Sequence, residues 1–148
     1  MLLKSKPMSR RSGATAVEFA AVATVFIMLL FGILVYCLII YTQNVVENAA
    51  REGARYAIVN VTDTTVVTDT QTYVLTVMGG LDTKMQNYSS KVYLADANGN
   101  NIGAAGSAQF GQYVCVEISV DYVPITPGLL NLSTITVRSK SSMGSEAN

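Results

Sequence analysis

From Phe19 to Val46 the chain carries no charged residue, and this run constrains everything around it. The hydrocarbon core of a bilayer is about 30 Å thick and takes about 20 apolar residues as a helix. At ~1.5 Å per residue, Phe19–Tyr41 crosses it with length to spare. Lys4, Lys6, Arg10 and Arg11 precede the run, and no acidic residue appears before Glu18. Basic flanks stay on the cytoplasmic side. The expectation is a single-pass protein of the cytoplasmic (inner) membrane, its N-terminus inside and its C-terminal domain outside. Tyr36 and Tyr41, near the outer end, suit the lipid–water boundary. The run is too long for the apolar part of a secretory signal, and no small-x-small cleavage site follows promptly. A lipoprotein reading through Leu34–Cys37 puts bulky Tyr36 directly before the cysteine, deep in the run, which argues against it.

A lone acid sits where the run begins. The stretch reads Arg10-Arg11-Ser12-Gly13-Ala14-Thr15-Ala16-Val17-Glu18-Phe19. A charge near hydrocarbon costs about 2.5–3.5 kcal/mol on insertion scales, so Glu18 needs a reason to be there. Cleavage after Gly13 supplies one. Ala14 then gains a free α-amino group near the depth of Glu18, on the same or a neighbouring subunit, and the two charges offset each other's desolvation. The plainer alternative is an acid in the first turn of a helix, favoured by the macrodipole. The arrangement resembles the processing site of type IV pilins and pseudopilins. There a short basic leader ends in glycine (Gly13) and glutamate is the fifth mature residue (Glu18), with Phe19 completing the Glu-Phe pair of the Flp and Tad branch. That resemblance implies a prepilin peptidase as a partner, and a role for Glu18 and Phe19 in setting subunit register.

Beyond Tyr41 the pattern stays helical. Glu47 and Arg51 stand four apart and Glu52 and Arg55 three apart, each pair adding about 0.2–0.5 kcal/mol. Val45, Ala49, Gly53 and Ala57 form a stripe at four-residue steps. Its small residues allow close approach of another element. Glycine inside a helix costs about 1 kcal/mol, so Gly53 points to packing that needs the space. Over Gly13–Tyr56, with Val17-Glu18-Phe19 at one end and Ala49-Ala50-Arg51-Glu52-Gly53-Ala54-Arg55-Tyr56 at the other, the chain resembles the TadE-like domain of minor pilins in the tight-adherence (Tad) pilus machinery. The block Ala50–Tyr56 is the most specific part of the likeness. A proline common in the family's apolar run is replaced here by residues such as Thr24.

After Val59 only pattern remains. Asp63 is expected to cap a helix running to Met78, with Val66, Val67, Thr70, Tyr73, Val74 and Val77 at three- and four-residue steps and Gly79-Gly80 as its stop. Lys91–Ala95 reads as a short strand, followed by turn formers in Asp96–Asn100. Gln112–Val123 is the clearest strand. Val114, Val116, Ile118, Val120 and Tyr122 fall on one face, and Cys115, Glu117, Ser119 and Asp121 on the other. Pro124 and Pro127-Gly128 end it, and a last strand near Leu132–Ser141 returns antiparallel. The fold class is α+β: a long N-terminal transmembrane helix extending into a small periplasmic or extracellular domain with a short antiparallel sheet, pilin-like in outline. The expected division is a leader at 1–13, a helix at 14–59, an outer domain at 60–142 and a frayed tail at 143–148.

The chemistry of an enzyme is not visible in this chain. There is no histidine, and net charge is zero, so neither an imidazole base nor a pull toward nucleic acid is available. No phosphate loop, zinc spacing or nucleophile triad occurs, and no cofactor or metal is expected. Asp96, Asn98 and Asn100 faintly resemble a calcium loop, yet lack its downstream glutamate, and a hairpin turn explains them better. Glu117 and Asp121 read as a solvated strand face. Cys37, inside the apolar run, and Cys115, far outside it, cannot meet within one chain, and Cys115 reads as a packed strand cysteine. The expected function is that of a minor pilin or pseudopilin, processed by a prepilin peptidase, with the lipid bilayer and other pilins or pilus-assembly proteins as partners. It would serve Tad/Flp-type pilus assembly, adhesion or secretion. The alternative is an uncleaved single-pass envelope scaffold or binding protein.

Overall fold

The computed structural model describes residues 11–109, 111–124 and 133–145. Its dominant element is α1, one unbroken helix of 49 residues over Arg11–Val59, ~74 Å long. No proline interrupts it, and two of the threonines inside it are neutralised locally. Thr24 Oγ1 donates to the Ala20 carbonyl at 2.8 Å and Thr42 Oγ1 to the Leu38 carbonyl at 2.9 Å, so neither hydroxyl needs water. The second helix, α2, covers Val66–Met78 and ends on Gly79 in the left-handed conformation, as expected. Its start differs from the expectation. Asp63 lies in the preceding turn, where its carbonyl accepts the Val66 N–H at 3.2 Å, and Thr65 takes the position before the helix. Successive turn bonds from Asn60 onward use up the backbone around Asp63 before the helix can begin there.

Four strands follow: β1 (Gln86–Ala95), β2 (Asn101–Ala104), β3 (Tyr113–Tyr122) and β4 (Ile135–Gly144). They form one antiparallel sheet in the order β2-β1-β3-β4. β1 is longer than Lys91–Ala95 because its polar first half, Gln86–Ser90, pairs with β3 through the backbone across a bulge. β2 gives no alternation signal, since all four of its residues are exposed. β4 runs on to Gly144. Ser145 is buried, donates its N–H to the Gln112 carbonyl at 2.7 Å and accepts from Gly111, so the chain is tied down where fraying was expected. Residues 1–10 of the expected 1–13 leader, Pro127-Gly128, Leu132 and the terminal 146–148 lie outside the described residues.

The alternation in β3 decides how the sheet sits. Val114, Val116, Ile118 and Val120 are fully buried against the C-terminal half of α1, with Val92 and Val137 buried beside them. From the helices come Val46, Ala49, Ala50, Ala54 and Ala57 of α1, and Val66, Val74 and Met78 of α2. The second helix is also pinned to β1, where Gln71 Nε2 donates to the Ser90 carbonyl at 2.8 Å. On the opposite face of the sheet, Cys115 is buried in a small cluster with Tyr93 and Ala95, partly covered by Tyr113.

Candidate functional site

α1 divides into two halves with opposite surroundings. In its N-terminal half the large apolar side chains stand in the open: Val17, Phe19, Val22, Val25, Phe26, Leu29 and Leu34 are all exposed, Phe19 by 73%. Only 6% of the most apolar window is buried, which separates this segment from the core helix of a soluble domain. With no water-compatible face and no partner layer among the described residues, the surface is matched to lipid or to other apolar helices. Gly13 and Ala14 fall in the first turns of α1, with Glu18 one turn further on, exposed, at the foot of the apolar surface. A side chain at Gly13 would meet nothing within 4 Å, so packing does not dictate its glycine.

The C-terminal half is built into the domain. Burial begins at Val35 and Thr42 and is complete at Val46, Ala49, Ala50, Ala54 and Ala57. The stripe expected from sequence therefore seats the helix on β3 and α2. Gly53 is where these elements come closest: a Cβ built there would lie 2.6 Å from Val74 Cγ2 and 3.4 Å from Val116 Cγ1. The block Ala50–Tyr56 separates by face. Ala50, Gly53 and Ala54 point into the core, while Arg51 and Arg55 are exposed and pair with Glu47 and Glu52, the latter at 3.8 Å. Such exposed pairs add little to stability. Tyr56 stacks on Tyr73 of α2, ring centroids 4.7 Å apart and planes within 15°. The sequence reading did not anticipate this stack, although the periodicity of α2 already set Tyr73 on its inward side.

These details place Gly13–Tyr56 on one helix that carries lipid-matched surface at one end and a domain core at the other. Residues 13–55 match the family model of the TadE-like proteins. The chain carries a TadE-like segment. No curated protein and no solved structure matches it. The TadE-like segment covers the apolar half of α1 and its polar continuation to Arg55, stopping one residue short of the tyrosine that stacks on α2. Its apolar half is long and apolar enough to cross a membrane.

Outside the TadE-like segment, the polar residues singled out from sequence have structural partners. Asp96 Oδ1 accepts the Asn98 and Asn100 N–H groups at 2.8 Å each, and Asn100 Nδ2 reaches Oδ2 at 3.0 Å. The Asn100 bonds hold the Asp96 carboxyl below its ordinary range. Its oxygens are thus committed to the β1–β2 turn, which also places Gly99 at a φ of 81°. Asp121 accepts from Thr136 Oγ1 and Asn87 Nδ2, both at 2.7 Å, and these bonds lower its carboxyl too. Glu117 accepts from the Tyr93 hydroxyl at 3.2 Å, and Lys140 lies 5.6 Å over the Tyr93 ring. Burial pushes the Cys115 thiol up, as it does the Tyr93 hydroxyl. Among the described residues, no group of three or more potential ligands converges on a metal position.

Proposed function

We propose that the chain is a minor pilin or pseudopilin of a Tad-type pilus, its role structural rather than catalytic. It is inserted with its N-terminus in the cytoplasm, cut between Gly13 and Ala14 by a prepilin peptidase, and packed against other pilins through the exposed half of α1. The observation that supports this best is the asymmetry of α1. One rigid helix presents bare apolar surface where it would meet lipid or other subunits, and the same helix is fixed in the core of the outer domain. Transfer from bilayer to filament then exchanges one apolar environment for another without unfolding the domain. Glu18, at the foot of that surface, pairs with the new Ala14 amine of the same or an adjacent subunit and sets axial register, with Phe19 packing beside it. The basic residues before Gly13 hold the leader on the cytoplasmic side until it is removed.

Intact mass and N-terminal sequencing of protein extracted from its native membrane test this. A chain that begins at Ala14, and begins at Met1 when the prepilin peptidase is deleted, is the expected result. A leader retained in the wild-type cell would instead establish a permanent envelope anchor. For register, Glu18→Gln is expected to be cut yet to assemble poorly. Normal assembly of that variant would remove Glu18 from the mechanism.

A further inference from the structure

The base of the outer domain meets the end of the apolar run in a groove of about 320 Å³. Leu38 and Tyr41 of α1 form one wall, Met78 and Lys84 the other, and Tyr122 and Val123 close it. Its height is set by the chain itself. Leu38 belongs to the charge-free run, and Tyr41 ends the stretch long enough to span hydrocarbon, so the groove lies at the lipid–water boundary. Its polar side chains are Lys84 and the hydroxyl-bearing Tyr41, Thr42 and Tyr122. Lys84 is the only charged residue lining it and makes no ion pair among the described residues. Asp82, in the same turn, does not line it. Tyr122 is only 5% exposed, and its hydroxyl has no hydrogen-bond partner among the described residues.

An apolar wall continuous with the span and an ammonium without an ion-pair partner among the described residues match a phosphate ester carrying acyl chains. We propose that the groove holds one phospholipid of the outer leaflet. An acyl chain lies along Leu38 and Met78, and the phosphate sits at Lys84. The carboxyl end of α2 also reaches the groove at Gly79. Its partial negative charge favours a headgroup with an amine beyond the phosphate over a free phosphate ion. The bound lipid fixes the domain at the membrane surface. The inference rests on α1 spanning the membrane and is independent of cleavage after Gly13.

Native mass spectrometry of the full-length chain, released from nanodiscs of phosphatidylethanolamine and phosphatidylglycerol, tests it by counting retained lipids. The wild type is expected to keep one phospholipid, phosphatidylethanolamine in preference. Lys84→Ala, an exposed change that leaves the core intact, is expected to keep it about five-fold less often, and Lys84→Arg to restore it. Equal retention by wild type and Lys84→Ala, with both showing the same circular dichroism, would overturn the proposal. So would displacement of the lipid by inorganic phosphate, which would make this a simple anion site. Lipid-free dimers that Lys84→Ala abolishes would overturn it as well, assigning the groove to a second copy of the chain.

Discussion

Replacing Gly53 with alanine sets two effects of known size against each other. In an ordinary helix interior the change stabilises by about 1 kcal/mol, because alanine restricts the unfolded backbone and favours helix. Here the new methyl would sit 2.6 Å from Val74 Cγ2, well inside contact distance, with Val116 behind it at 3.4 Å. Val74 is fully buried and β-branched on a helix, so its side chain has essentially one rotamer and cannot swing away. α1 and α2 must separate instead, and overpacking of this kind costs about 1–3 kcal/mol. The net expectation is a loss of about 1 kcal/mol, or ~4–8 °C in unfolding midpoint for a domain of this size. In a Val74→Ala background the obstruction is gone, and Gly53→Ala should stabilise by about 1 kcal/mol. The difference between backgrounds, ~2 kcal/mol, is the coupling between the two positions. Thermal unfolding of the full-length chain in detergent micelles, followed by near-ultraviolet circular dichroism, measures it, with the Tyr56–Tyr73 stack as a reporter beside the site. A higher midpoint for Gly53→Ala in the wild-type background would refute the close approach.

Three further outcomes follow from the C-terminal domain. Gly99→Ala combines a φ of 81° with a Cβ position 3.1 Å from Lys140 Cε, and should destabilise by about 1–2 kcal/mol in the same melting assay; an unchanged midpoint would show that the turn relaxes freely. Asp96 and Asp121 have folded pKa values below the ordinary one of about 3.9, so their contribution is complete above that pH and disappears as pH falls through the folded values. The midpoint should hold from neutral pH to about pH 5 and then drop, and Asp121→Asn should make the drop shallower; an identical acid profile for the variant would show that its hydrogen bonds carry no such linkage. Cys115 is buried with its thiol pushed up, so a water-soluble maleimide should label it only after denaturation, and rapid labelling of folded protein would contradict its place in the sheet.

The sequence discloses those parts of the fold where a single environment acts along a whole element. An unbroken apolar run, a small-residue stripe and the alternation of Val114–Tyr122 each reflect one uniform neighbour (lipid, a packed layer, or the core), so period and composition report them. The first half of β1 and all of β2 were hidden for the opposite reason. Most of their side chains face solvent, with Tyr88 and Ser90 only half-buried, so backbone pairing dominates and neither Gln86–Ser90 nor Asn101–Ala104 shows a strand's alternation of apolar and polar residues. The start of α2 was misplaced because an aspartate has the same chemistry in a turn as at a cap, and only the turn bonds around Asn60 and Asp63 choose between them. Gly13, Glu18 and the Ala50–Tyr56 block stood out in the sequence. The groove at Lys84 did not, since it joins α1, the end of α2 and the end of β3, which only the folded chain brings together.

Because α1 passes without a break from the apolar half into the domain core, the protein has no swivel between them. The rotational phase of the sheet is geared to the face that carries Glu18. One residue inserted between Leu29 and Leu34 would turn the domain by about 100° and raise it by ~1.5 Å, whereas seven would bring it back to within ~20°. In the proposed assembly the number of residues between Glu18 and Val46 is therefore a dimension in its own right, the throw of a crank, and lengthening the helix without regard to phase would turn the domain away from the face that carries Glu18.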